Sequence, residues 1–285
     1  LEKNTKPRGD TKMNTEEIKV CVMRVGGTNC DAETQRAFEE LGVQAESVHV
    51  NELIKRRNLL DYSVLVFPGG FSFGDYVRSG VIFARHLSAN LAKEMGKFID
   101  EGRPILGICN GFQILVEYGL LPGFKGMSAY PEATLTTNEP AGFKCQWTYL
   151  KQENKGKCLF TTKIPTGKVI TLPIAHGEGR LLFPKEQEQA LLKKLIDEDM
   201  LVFRYCDKNG KVAEGKYPIC PNGSFYDIAG ICNKEGNIFG LMPHPERAMY
   251  WWQQPNWTSQ QQMMQYGDGK LIFQSIIDKL TKIGG

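Results

Sequence analysis

The sequence predicts an α/β fold: a doubly wound, mostly parallel sheet with helices on both faces and additional antiparallel strands, flavodoxin-like in architecture. Three observations carry this. From residue 19 onward, short apolar runs alternate with helix-patterned stretches, the order that builds parallel βαβ units. Glycine-rich turns follow the apolar runs, as in Gly26-Gly27-Thr28-Asn29 and Pro68-Gly69-Gly70-Phe71. Beyond Pro122 the pattern changes to β-branched and aromatic runs separated by turns, which reads as antiparallel strands added to the parallel core.

In order, Lys19-Val20-Cys21-Val22 opens a strand over 19–25, and a helix over 31–41 is closed by Gly42. A strand over 43–50, a short helix over 51–57 and a strand over 63–67, apolar from Val64 to Phe67, follow. A helix spans 77–101, then a strand 104–108 and a helix 110–118, which stops at Gly119 with Pro122 just beyond. Strands at 133–137, 145–150 and 168–172 precede a helix over 185–198. A hairpin joins 227–232 to 238–242 through the turn 233–237, and a helix over 269–282 ends the pattern. There is no internal repeat and no composition shift, so residues 18–285 read as a single domain. Residues 1–17 read as an unstructured leader or cloning remnant, with Met13 as a candidate start.

Of 285 residues, 41% are apolar and 24% charged, enough to bury a substantial core, and the net charge is only +3. Lys and Arg interspersed with Asp and Glu give neither a nucleic-acid surface nor an anionic-membrane surface. No apolar stretch reaches the roughly 20 residues of a membrane span, and the N-terminus lacks the apolar core of a secretory signal, so a cytoplasmic location is expected. Eight cysteines without a C-x-x-C pair indicate neither a zinc site nor a disulfide framework.

Gly107-Ile108-Cys109-Asn110-Gly111, between an apolar strand and an apolar-periodic helix, is the pattern of a nucleophile elbow. A sharp strand-to-helix turn presents its central side chain, glycines two positions either side permit close backbone approach, and the helix N-terminus favours a thiolate. Of the four histidines, His86 falls in a helical run and His49 in a strand. His244 stands between two prolines at a strand end, and Glu246 two residues on is placed to reach its ring. That gives Cys109, His244 and Glu246 the division of roles of a Ser-His-Asp triad. Pro245 and Glu246 fit a plain helix N-terminus equally well. For an oxyanion, the Asn110 N–H supplies one donor, and the Gly70 and Phe71 loop, Phe71 N–H above all, supplies the second or is a plain turn. Cys30 competes as a nucleophile, but Asp31 and Glu33 beside it would raise its pKa.

These residues resemble the class I (triad) glutamine amidotransferases. Within that class, Gly27–Thr34, Gly69–Gly80, Ala175-His176-Gly177-Glu178-Gly179 and Met242–Arg247 resemble the glutaminase subunits of the formylglycinamide ribonucleotide amidotransferases of purine biosynthesis. The resemblance implies that Cys109 attacks the side-chain amide of glutamine, His244 passes a proton to departing ammonia, Glu246 orients His244, and a cysteinyl thioester is hydrolysed to glutamate. It implies that Asn110 and Gln113 line the glutamine pocket opposite Gly70 and Phe71. His176, Glu178, Asp75 and Arg78 are expected at the pocket rim or against a partner. The chain has neither a P-loop nor a G-x-G-x-x-G fingerprint, so no cofactor or metal is expected on it. The implied partner is a large synthetase subunit that uses ATP and Mg, with or without a small bridging subunit, and no nucleic acid or membrane is involved. A glutaminase for a different synthetase, a related cysteine hydrolase and a non-catalytic scaffold are the alternatives. The aromatic stretch 250–257 is expected to cover the core.

Overall fold

The computed structural model describes residues 13–259 and 264–282. The strands are β1 (Lys19–Arg24), β2 (Gln44–His49), β3 (Val64–Phe67), β4 (Ile105–Ile108), β5 (Thr134–Thr136), β6 (Lys144–Gln152), β7 (Val169–His176), β8 (Arg180–Leu182), β9 (Leu201–Cys206), β10 (Ile228–Cys232) and β11 (Ile238–Leu241). Nine form one sheet in the order β2-β1-β3-β4-β11-β10-β9-β6-β7, while β5 and β8 pair separately. The pairings from β2 through β11 are parallel and those from β11 through β7 antiparallel. The helices are α1 (Asp31–Glu39), α2 (Val50–Arg56), α3 (Val81–Asn90), α4 (Ala92–Asp100), α5 (Asn110–Glu117), α6 (Glu188–Asp197) and α7 (Lys270–Lys282).

The central strands β3, β4, β10 and β11 are buried at every position, which is why their sequences are continuous apolar runs without alternation. In β7, by contrast, buried and half-buried residues alternate, and this edge strand accommodates Pro173 because its missing N–H faces no ladder. The antiparallel half brings β7 back over the strand ends, where Pro173 O accepts the His244 N–H at 2.8 Å.

Several expected boundaries move. The helix expected over 77–101 is two helices, because Val77 has φ 74° and wholly buried Leu91 leaves helical geometry at φ −126°. Gly80 precedes α3 with φ 81°, and a Cβ there would lie 2.8 Å from Ile114 N, so this turn is pressed against α5. Strand β9 was not expected, although Leu201-Val202-Phe203-Arg204-Tyr205-Cys206 is buried throughout and fills the sheet between β10 and β6. The strand at 168–172 extends to His176.

The leader also differs from its expectation. Met13 packs against the core, Thr15–Glu17 form a 3₁₀ turn and the Asn14 N–H donates to Glu17 Oε2 at 3.0 Å, while residues 1–12 lie outside the described residues. In the 250–257 stretch Trp251 is buried, while Trp252 is exposed and stacks on Tyr250 at 4.4 Å. No helix among the described residues is long and apolar enough to cross a membrane.

Candidate active site

The parallel pairing of β4 with β11 is what assembles the site. Ile108 stands opposite Leu241, so Cys109 and His244 leave neighbouring strands at the same edge of the sheet. Cys109 is held in a strained backbone conformation, φ 53° and ψ −106°, with its N–H on Leu241 O at 2.8 Å. A Cβ on Gly111 would lie 1.8 Å from Phe67 O, and one on Gly107 would lie 2.7 Å from Gly111 O, so both glycines are required by close approach. The elbow does not present its thiol to open solvent as expected: Cys109 is buried, and Sγ donates to Ala175 O of β7 at 3.6 Å.

His244 and Glu246 are also buried, with Nδ1 2.5 Å from Glu246 Oε1. An ionised carboxylate can only accept, so in this contact Nδ1 carries the proton, and Nε2 is the ring nitrogen that Glu246 does not engage. Nε2 has no hydrogen-bond partner among the described residues. Burial pushes the His244 pKa down, but the Glu246 carboxylate and the Cys109 thiol facing the ring outweigh it and raise the pKa well above the ordinary value. Gly69 makes room for the imidazole, since a Cβ there would lie 2.6 Å from Cε1. The sequence pattern points to Gly70 and Phe71 at the oxyanion, whereas the close approach of Gly69 to His244 shows only in three dimensions.

The expected oxyanion loop is partly corrected. The Phe71 N–H is already donated to Gly27 O at 2.8 Å, in the short bridge that pairs Thr28 with Gly70, and so does not face Cys109. The Asn110 and Gly70 N–H groups make no hydrogen bond among the described residues. Asn110 and Gln113 are buried together: Asn110 Nδ2 donates to Gln113 Oε1 at 2.9 Å and to Asp75 Oδ1 at 3.1 Å, and Gln113 Nε2 to Glu178 O at 2.6 Å. Ser72 and Ser79 N–H groups donate to Asn110 Oδ1 and Glu178 Oε2, both at 3.2 Å, and Arg78 pairs with buried Glu117. Asp75, Arg78 and Glu178 therefore lie around α5, within one hydrogen-bond step of Asn110, Gln113 or Glu117.

His176 does not belong to the rim. It is 3% exposed, its Nδ1 lies 3.1 Å from Asn138 Oδ1, and burial together with the nearby His244 pushes its pKa down to about 3. A Cβ on Gly179 would overlap its ring at 2.2 Å, so Gly179 serves packing, whereas a Cβ on Gly177 would meet only Phe143 at 3.9 Å. His49 caps α2 by accepting from Asn51 N–H, and His86 lies against Phe73; neither approaches His244. Cys30 does, with Sγ 3.9 Å from His244 Nδ1, and burial pushes its thiol up to about 11. Cys30, His244 and Glu246 place three ligand-type atoms within 4.8 Å of one another, but Arg247 Nη2 stands 3.1 Å from the sulfur and its charge opposes a cation there.

A model of the CobB/CobQ-like glutamine amidotransferase domain matches residues 17–278. The phosphoribosylformylglycinamidine synthase subunit PurQ of Archaeoglobus fulgidus is 47% identical over 281 residues, covering 95% of this chain and 100% of its own. The subunit of the same name from Dehalococcoides mccartyi is 40% identical over 262 residues, covering 92% and 97%. Among solved structures, a chain of PurLQS from Thermotoga maritima matches with a TM-score of 0.68 and 34% identity over 93% of this chain and 99% of that one. With a glutaminase-type elbow, a buried imidazole–carboxylate pair and a family match over nearly its whole length, the chain belongs to the CobB/CobQ-like glutamine amidotransferases.

Proposed function

We propose that this chain is the glutaminase subunit of a phosphoribosylformylglycinamidine synthase and that Cys109, His244 and Glu246 carry out its chemistry. The observation that carries the reading is the shared strand-end edge on which the strained Cys109 elbow faces the His244–Glu246 pair. Cys109 Sγ gives its proton to His244 Nε2 and attacks the side-chain carbonyl carbon of glutamine, forming a C–S bond as the C=O π bond opens, and the resulting oxyanion meets the N–H groups of Asn110 and Gly70. The C–N bond then breaks as the His244 imidazolium gives its proton to departing ammonia, leaving a thioester. Water attacks that thioester with His244 taking its proton, the C–S bond breaks, and glutamate leaves. Glu246 holds Nδ1 protonated throughout and stabilises the charged ring.

The ammonia passes to a large synthetase subunit, which we propose binds ATP and magnesium and converts formylglycinamide ribonucleotide to its amidine, with a small third subunit in the assembly. The likeness to a chain of PurLQS supports this division of labour. De novo purine synthesis is cytoplasmic work, and we place the chain there. In the reconstituted complex, Cys109→Ala abolishes glutamine-dependent synthesis and preserves ammonia-dependent synthesis. Retained glutamine-dependent turnover in that variant would overturn the reading.

A further inference from the structure

Cys30 is the one cysteine at the site that the reaction above leaves unused. It precedes α1, with its N–H on Gly69 O at 3.1 Å and its sulfur 3.9 Å from His244 Nδ1. A Cβ on residue 69 would stand 3.1 Å from that sulfur as well as 2.6 Å from His244 Cε1, so ring and sulfur share the space beside one glycine. On the sulfur's other side Arg247 Nη2 donates to it at 3.1 Å, and Arg247 Nε donates to Glu33 Oε1 at 2.7 Å. An unbroken chain of contacts therefore runs from the Glu33–Arg247 ion pair, through one sulfur, to the imidazole edge that also carries Glu246.

The charges give that chain a purpose. Glu246 is buried, and its Oε2 has no hydrogen-bond partner among the described residues, so its charge calls for positive groups nearby. The His244 ring is the nearer one, and Arg247 is a second, which interacts with Glu246 across the turn they share. Its guanidinium is held by Glu33 and Cys30, both from the N-terminal end of α1. Because burial keeps the Cys30 thiol protonated, it neither acts as a nucleophile nor takes the Nδ1 proton that Glu246 requires.

We propose that Cys30 and Arg247 are positioning residues for His244. The sulfur, clamped between guanidinium and ring, holds the imidazole in the plane in which Nδ1 meets Glu246 and Nε2 meets Cys109, while the guanidinium offsets the buried carboxylate. The inference rests on the glutaminase reading. The groups facing His244 are Glu246 and Arg247 from its own turn, Cys30 from α1, Cys109 from the elbow and His176 from β7.

The test uses the assembled complex, with kcat, KM and the pH dependence of glutamine hydrolysis measured beside ammonia-dependent synthesis as the check on folding and assembly. Cys30→Ala lowers kcat about tenfold with KM changed by less than about twofold, because a displaced base costs rate rather than ground-state binding. It also moves the alkaline limb of kcat to lower pH, since the imidazolium loses a neighbouring lone pair. Cys30→Ser, whose hydroxyl still accepts from Arg247, recovers most of the rate. Arg247→Gln reproduces the loss, and it decides the matter if Cys30→Ala also loses ammonia-dependent synthesis. Wild-type kcat and pH profile in Cys30→Ala or in Arg247→Gln, or equal impairment of Cys30→Ser and Cys30→Ala, overturns the proposal. A wild-type complex without glutamine hydrolysis counts instead against the glutaminase reading.

Discussion

His176 is a neutral acceptor sealed beside a second imidazole. Asn138 Oδ1 already accepts from the Gly179 N–H, so His176 Nδ1 must be the donor in their 3.1 Å contact, and Nε2 is left as a buried lone pair without a partner among the described residues. Its folded-state pKa is about 3 against an ordinary 6.5, pushed down by burial and by His244. Below the ordinary value the unfolded chain binds a proton that the folded chain refuses, so the contribution is lost as pH falls from 6.5 toward 3. Denaturant unfolding at pH 7 and pH 5 therefore shows a smaller loss of stability on acidification in His176→Gln than in the wild type; equal losses would contradict the assignment. This residue also marks the limit of reading the site from sequence. The spacing of Gly107, Cys109 and Gly111 and the prolines around His244 are local signals, and they point to groups that the fold brings together. The burial of His176 depends on Asn138 and on the return of β7, which no local pattern encodes.

At the scale of elements, α5 sits on β3 with no space between them. A methyl group on Gly111 would overlap Phe67 O at 1.8 Å, and only backbone displacement relieves that. Gly111→Ala lowers the unfolding free energy by about 1–3 kcal/mol or more and loosens the elbow. Gly96→Ala in α4, where a Cβ meets nothing within 4 Å, raises it by about 0.5–1 kcal/mol. Denaturant midpoints of the two variants moving in the same direction would refute this difference. The parallel strands were legible because each is a continuous apolar run bounded by turn residues. The helix expected over 77–101 starts late because the turn at Gly80, φ 81°, is pressed against α5, a long-range contact that the local pattern Val77-Arg78-Ser79-Gly80 does not encode. β9 escaped notice because it follows α6 directly, and an apolar run of that length after a helix reads as its continuation.

For the whole molecule, large apolar side chains stay exposed on the segment that carries Gly70. Phe71 and Phe143 stack at 6.3 Å with about half of each side chain exposed, and Tyr76 and Val77, further along that segment, are more exposed still. If assembly switches the site on, glutamine turnover by the chain alone is slow and rises when the synthetase subunits are added. Equal turnover by the chain and the complex would show that assembly plays no part in switching the site on. The division into a parallel and an antiparallel half was legible from the change of pattern at Pro122, but the curl that returns β7 to His244 was not, because it is the sum of many small twists. One further consequence follows from the position of β11, which inserts between β4 and β10 although it is the last strand of the chain to be made. On the ribosome the elbow emerges long before its proton acceptor, and the middle of the sheet remains a gap. Closure of the sheet thus waits for the segment that also carries His244 and Glu246, and a chain that stopped before β11 would have neither group beside Cys109.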